Sequence, residues 1–262
     1  MDQTKRTSHR TGCRVTVLGG IVLTTVGIGV LTYVVMGVLQ AREAAMHTNC
    51  RGHMSQLSMA LWNYHDTYDS FPPAYVADVD GTPLHSWRVL ILPFIDGNDI
   101  YQQYRFDEPW NGPHNSQLAD RLASRFQCPG RRHDKSSHVT DYVALVGPES
   151  AFPGSSSTRM TDLRDGPENT ILLAEIAHSD IHWMEPRDLS TQTMSFQVND
   201  PGRPSLSSYH PGGPAVIFAD GITAYRLQST IRPETLKALT TIQRGEPVSR
   251  DKLIRQLYSL AE

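Results

Sequence analysis

Residues 15–39 read VTVLGGIVLTTVGIGVLTYVVMGVL and carry no charged side chain. Wound as an α-helix, the run reaches roughly 37 Å, more than the ~30 Å hydrocarbon core of a bilayer. Burying its Leu, Val and Ile side chains in lipid offsets the mild cost of its threonines. The run therefore reads as a transmembrane helix. A cleaved signal peptide competes with that reading, but its apolar core ordinarily spans about 7–15 residues. No clean small-x-small cleavage site follows this run. Ahead of it, Lys5, Arg6, Arg10 and Arg14 stand against Asp2 alone. A basic flank stays on the cytoplasmic side. The expected layout is a cytoplasmic basic head at 1–14, a transmembrane helix at 15–39 and an extracytoplasmic domain at 40–262. That makes a single-pass protein of the cytoplasmic (inner) membrane, its N-terminus inside and its body in the periplasm or outside.

The body is mildly acidic. The chain has 24 basic and 27 acidic residues, and 20 and 26 remain once the head is set aside, a formal −6. Nucleic-acid binding needs clustered Lys and Arg, so no nucleic-acid partner is expected. The run around Arg131, Arg132 and Lys135 is short and reads as a solvated loop. Of the three cysteines, Cys13 falls at the cytoplasmic edge of the span. Cys50 and Cys128 fall beyond it, where disulfides persist. A Cys50–Cys128 bridge is the natural pairing, and two free thiols are the alternative. No CxxC pattern supports a zinc ribbon or a thioredoxin-like motif.

The apolar run does not stop at a turn. From Gln40 to Tyr68 there is no proline and one glycine, Gly52. Met54, Leu57, Leu61 and Tyr64 recur at spacings of three and four, which makes one apolar face. The spacing predicts a continuous helix of about fifty residues, lipid-embedded in its first half and amphipathic in its second. Phe71-Pro72-Pro73 ends it, because proline lacks the amide donor and disfavours helix in the residue before it. Short helices are expected at Trp87–Phe94 and near Gln117–Phe126, within an otherwise irregular 74–132. Strands are expected at Val139–Val146, Thr170–Ile176, Ile181–Met184, Ala215–Asp220 and Ile222–Leu227. Asp220-Gly221 suits a two-residue type I′ turn between the last two. Helices are expected from Pro233 and after Ser249, where Leu253, Leu257 and Leu260 share a face. The fold class is α+β: a long N-terminal helix packed on an antiparallel, one-faced sheet.

Several segments then resemble one family. They are Cys50 followed by LSMALWNYHDTYDSFPPAY, HSWRVLILPFID at 85–96, Gln127-Cys128-Pro129, DYVALVGPESAFPG at 141–154 and NTILLAEIAHSDIHWMEPRDLS at 169–190. In this order they resemble the DUF1559 proteins of planctomycete bacteria, pilin-like proteins of otherwise unknown function, across about residues 40–245. The family's C-terminal signature, His then nine residues then Asp-Gly, is matched by His210 and Asp220-Gly221. The resemblance implies a pilin-like layout, related to type IV pilins and type II secretion pseudopilins. Prepilins carry a Gly-Phe-Thr-Leu-x-Glu type cleavage site. Here Gly20 is followed by Ile21-Val22-Leu23-Thr24, and Thr25 stands where the glutamate would be.

His210 and Asp220 invite a catalytic or metal reading. Ten extended residues span about 33 Å, so the two side chains belong toward opposite ends of a hairpin. The plainer reading is that His210 fixes a loop and Asp220-Gly221 makes a turn. Asp180, His182, Glu185 and Asp188, with His178, form the densest run of candidate ligands. On a strand, Asp180 and His182 share a face. No HExxH-type spacing is present. Oxygen ligands such as Asp180, Glu185 and Asp188 suit calcium, by analogy with major pseudopilins; otherwise no cofactor is expected. There is no GxSxG elbow, P-loop or dinucleotide-binding fingerprint. Trp62, Tyr64, Trp87, Trp110 and Trp183 read as core before they read as a ligand platform. The expected function is non-enzymatic: a membrane-anchored, pseudopilin-like envelope protein with a structural, scaffolding or secretion-associated role. Its partners would be the membrane and other pseudopilin-like subunits. The alternative is a binding module for a glycan, peptide or metal ion, and an envelope enzyme is the third choice.

Overall fold

The computed structural model describes residues 8–131, 137–210, 212–221 and 223–245, and for residues 8–24 and 47 the backbone alone. The chain divides into two compact units, Met1–Met46 and His47–Glu262. Helix α1 is Ser8–Tyr68 and contributes to both. In the first unit, residues 25–42 are exposed throughout, among them Val26, Leu31, Tyr33 and Leu39. Thr32 Oγ1 donates to the Ile28 carbonyl at 2.8 Å, so its hydroxyl is satisfied within the helix. The helix is long and apolar enough to cross a membrane, a test that a signal sequence near an N-terminus also passes.

In the second unit, α1 buries Cys50, Met54, Leu57, Ser58, Ala60 and Leu61, while Arg51, Gln56 and Met59 face outward. Each fully buried Leu or Met contributes about 1.5–3 kcal/mol relative to exposure. The helix stops at Asp69, which adopts φ 56°. Asp is one of the few residues tolerated in that left-handed conformation.

A small hairpin follows, β1 (Tyr75–Ala77) and β2 (Pro83–Ser86), where the sequence reads as irregular. Its turn is closed by the Asp78 carboxylate, which accepts from the amides of Asp80 and Thr82. Helix α2 (Trp87–Leu90) is capped by Ser86 and leads into a 3-10 turn at Leu92–Phe94, so the helix expected at Trp87–Phe94 is two short pieces. Helix α3 is Asn98–Gln103. The helix expected at Gln117–Phe126 is instead two 3-10 stretches, Asn115–Arg121 and Ala123–Phe126, separated by Leu122 at φ −136°, ψ 5°.

The main sheet comprises β3 (Tyr142–Val146), β4 (Ile171–Glu175), β5 (Leu189–Ser190), β6 (Ala215–Phe218) and β7 (Ala224–Arg226), in the order β5-β3-β4-β6-β7. All pairings are antiparallel except β3 with β5, so the sheet is mixed. It is also buried on both faces. Tyr142, Ala144, Leu173 and Ile217 join the core that contains α1. Val143, Leu145, Val216 and Phe218 join a second core with Leu189, Leu206, Leu236 and Leu239. The unbroken apolar runs YVALV, ILLA and AVIF are what a doubly covered strand requires, and a one-faced sheet would alternate.

Two further expectations are corrected. Ile181–Met184 is not a continuous strand: His182 forms a single antiparallel bridge with Val139, and Trp183 and Met184 turn away. The Glu185 amide donates to the His182 carbonyl at 2.9 Å, and the Met184 amide to His182 Nδ1 at 3.1 Å. A local carbonyl and the His182 imidazole thus take donors that a longer strand would have used. Asp220-Gly221 is not the centre of a type I′ turn. The Gly221 amide donates to the Phe218 carbonyl at 2.9 Å, so Gly221 is the fourth residue of a turn over 218–221. Helix α4 (Pro233–Ala238) starts with its proline at the first turn. Arg132, Lys135, Ile222 and the helix expected after Ser249 lie outside the described residues.

Candidate functional site

Cys50, on α1, and Cys128, in the loop before β3, are joined by a disulfide with Cα atoms 5.0 Å apart. His210 reaches the bridge from the loop ahead of β6. Its Nε2 lies 3.2 Å from Cys50 Sγ and 3.1 Å from Cys128 Sγ. All three residues are buried. The fit depends on Gly130, where any Cβ would overlap the His210 imidazole. Among the described residues, these three are the group of His, Cys, Asp or Glu ligand atoms near enough to share an ion, all within 4.8 Å of one another.

The surroundings are polar and closed. The Cys128 amide donates to Asp141 Oδ2 at 2.7 Å, and Arg131 Nη1 donates to Asp141 Oδ1 at 3.0 Å. The Tyr142 hydroxyl donates to the Cys50 carbonyl at 3.2 Å. Burial, with the charges of Glu175 and Asp141, pushes the Tyr142 phenol well above its ordinary value, so it stays a donor. Glu175, at the end of β4, is 2% exposed. Its Oε2 accepts from the Ala215 amide at 3.1 Å, whereas Oε1 has no hydrogen-bond partner among the described residues. Burial raises the Glu175 pKa above the ordinary carboxylate value, and the Ala215 amide, Ser208 and nearby His210 pull against that rise.

Asp220-Gly221 sits elsewhere. Gly221, at φ 71°, lies against Trp62, and an added Cβ there would overlap the indole. Ser58 Oγ donates to the Gly221 carbonyl at 3.3 Å. His210 therefore meets α1 at Cys50 and Gly221 meets it at Ser58 and Trp62. Twelve helical residues separate Cys50 from Trp62, about 18 Å at 1.5 Å each. One hairpin is thus fixed to one helix at two points, and among the described residues His210 and Asp220 fall in no common ligand group.

The run from Asp180 to Asp188 does not converge either. Asp180 and Glu185 both pair with Arg187, at 3.0 and 2.6 Å. His182 packs on Trp110 and His138. Burial first, then His138, lowers its pKa to about 4. Asp188 points the other way, into a buried ion pair with Arg88 at 2.5 Å. Asp180 and Glu185 thus share one guanidinium and Asp188 takes another, and among the described residues these side chains form no common ligand group for calcium or another ion. Trp87 and Trp183 are fully buried, and Trp62, Tyr64 and Trp110 are partly so. Sequence reasoning missed the contact of His210 with the cysteines; Gly130 two residues after Cys128 was the one local sign of close approach.

Residues 39–151 match a family model described as a protein of unknown function (DUF1559). His210 and Asp220-Gly221 fall beyond the matched residues. No curated protein and no solved structure matches the chain.

Proposed function

Taking residues 39–151 as a DUF1559 segment, we propose that the protein is a non-enzymatic, pseudopilin-like component of the cell envelope, anchored in the cytoplasmic membrane. The observation that carries this is α1. Its residues 25–42 are exposed and largely apolar, and its residues 50–61 supply part of a folded core. Such a helix binds lipid through one stretch and holds a domain through the other. The basic head directs the body out of the cytoplasm, where a buried disulfide endures. The role is scaffolding or secretion-associated, with the membrane and other pseudopilin-like subunits as partners. Thr25, in place of a glutamate, removes the charge that a pilin-type contact between subunits would use.

Mass spectrometry of the mature N-terminus tests the anchor. A chain that starts at residue 1, or after Gly20 with residues 21–39 retained, supports it. A chain that starts beyond residue 39 refutes it. Hydrolysis of an envelope substrate by the purified protein, abolished by His210→Gln or His182→Gln, would refute the non-enzymatic reading.

A second reading rests on a cleft of about 580 Å³ lined by Ile176, His178, Asp180, Asn199, Asp200 and Arg203. Its size suits a small polar ligand. A thermal-shift screen with sugars and peptides would support this reading by a response that Arg203→Ala removes.

A further inference from the structure

A disulfide with an imidazole nitrogen set against both sulfurs is also the ligand set of a soft-metal site in its oxidised form. Opened, the bridge gives two thiolates and a histidine, a combination suited to zinc. The geometry is close to what that ion needs. With Zn–S of about 2.3 Å and Zn–N of about 2.0–2.1 Å at tetrahedral angles, sulfur and nitrogen sit about 3.6 Å apart. His210 Nε2 is 3.2 and 3.1 Å from the two sulfurs. Once the bridge is opened, His210 Nε2 needs to withdraw by about 0.4–0.5 Å and the two sulfurs to part to about 3.8 Å.

The charge around the site selects a divalent ion. Two thiolates, one neutral imidazole and Zn(II) sum to zero, whereas a monovalent ion would leave a buried negative charge. That charge would lie beside the Asp141 carboxylate on the Cys128 amide, whose own charge is already met by Arg131. Backbone support is in place at both sulfur ligands, through the Cys128 amide to Asp141 and the Tyr142 hydroxyl to the Cys50 carbonyl. Such outer contacts hold metal ligands in position.

We propose that Cys50, Cys128 and His210 bind a zinc-class divalent ion in the dithiol form of the protein, so that disulfide and metal are alternative occupants of one buried site. In the forward step a dithiol reductant gives two electrons and two protons to the bridge and is itself oxidised to a disulfide. Zn(II) then binds both sulfurs and releases the two thiol protons. The proposal does not depend on the anchor or on assembly.

The test uses the full chain in detergent on a Cys13→Ser background, so that the two bridging cysteines are the sole thiols. Co(II) serves as the spectroscopic probe and Zn(II) as its competitor. The reduced protein should take up one equivalent of Co(II) with a thiolate-to-cobalt charge-transfer band, and Zn(II) should abolish the band. The oxidised protein should show none. His210→Gln should weaken binding at least tenfold and change the band, and Cys50→Ser should remove it. If reduction unfolds the chain, Zn(II) should restore the far-ultraviolet circular dichroism of the wild type but not of Cys50→Ser. Absence of the band in a folded reduced protein, an unchanged band in His210→Gln, or failure of Zn(II) to restore an unfolded one would overturn the proposal.

Discussion

Two buried carboxylates stand on neighbouring parts of the same sheet, and they are treated differently. Asp188, just before β5, is saturated. Its Oδ1 accepts from Arg88 Nη2 and the Ala144 amide, and its Oδ2 from Arg88 Nη1 and Trp87 Nε1. Glu175, ending β4, accepts through Oε2, and its Oε1 has no hydrogen-bond partner among the described residues. A buried acid with every lone pair engaged is a structural joint: it ties α2, β3 and the lead-in to β5 together. A buried acid left short marks a place where the fold has not been optimised for stability alone. The contrast separates the polar group that holds the domain together from the one beside its candidate site.

The largest expected effect comes from breaking the satisfied carboxylate. Asp188→Ala leaves the Arg88 guanidinium buried and uncompensated, at a cost of about 3–5 kcal/mol. Arg88→Met combined with Asp188→Leu should recover most of that loss in chemical denaturation. If the double variant is no better than Asp188→Ala, the pair does not act as a unit. Next comes the bridge beside Glu175. It closes a loop with a sequence separation of 78. Cys50→Ser with Cys128→Ser should lower stability by about 2–4 kcal/mol, read from the denaturant midpoint of the non-reduced protein. A smaller effect is expected at the far end of the hairpin. Gly221→Ala places a methyl against Trp62 at a positive φ and should cost about 1–3 kcal/mol, accompanied by a shift in tryptophan fluorescence.

The smallest effect is a pH dependence remote from both carboxylates. His182 is held at about 4 by burial and by His138. The unfolded chain binds its proton near the ordinary value of about 6.5. Between those values the unfolded state carries more protons, so stability is full above about 6.5 and is lost as pH falls toward about 4. Partial exposure of His182 keeps the change to about 1–2 kcal/mol. His182→Gln should flatten that limb of the stability-pH curve, and an unchanged slope would assign it to another group.

What the sequence conceals follows the same division. Helix α1 is legible because no proline and one glycine interrupt residues 40–68, and Met54, Leu57 and Leu61 keep helical spacing. Strands β3, β4 and β6 are legible from their apolar, β-branched runs. Strand β5 is two residues long and parallel to β3, too short for periodicity to register. Ile181–Met184 has strand composition, but His182 and Glu185 take its amides into a turn. The candidate site is less legible still. Asp180, His182, Glu185 and Asp188 are dense along the chain, yet Arg187 takes Asp180 and Glu185 while Arg88 takes Asp188. Cys50, Cys128 and His210 are far apart along the chain and meet only once α1, the 128 loop and the start of the hairpin are assembled. No spacing rule reports a contact made by three such elements.

The proposed function rests on α1 anchoring a body that lies outside the cytoplasm. The direct measurement is alkaline carbonate extraction of envelopes from cells making the full chain, paired with protease added to spheroplasts. The chain should remain in the membrane pellet, and its body should be digested without lysis. Release into the supernatant, or digestion only after lysis, would contradict the account.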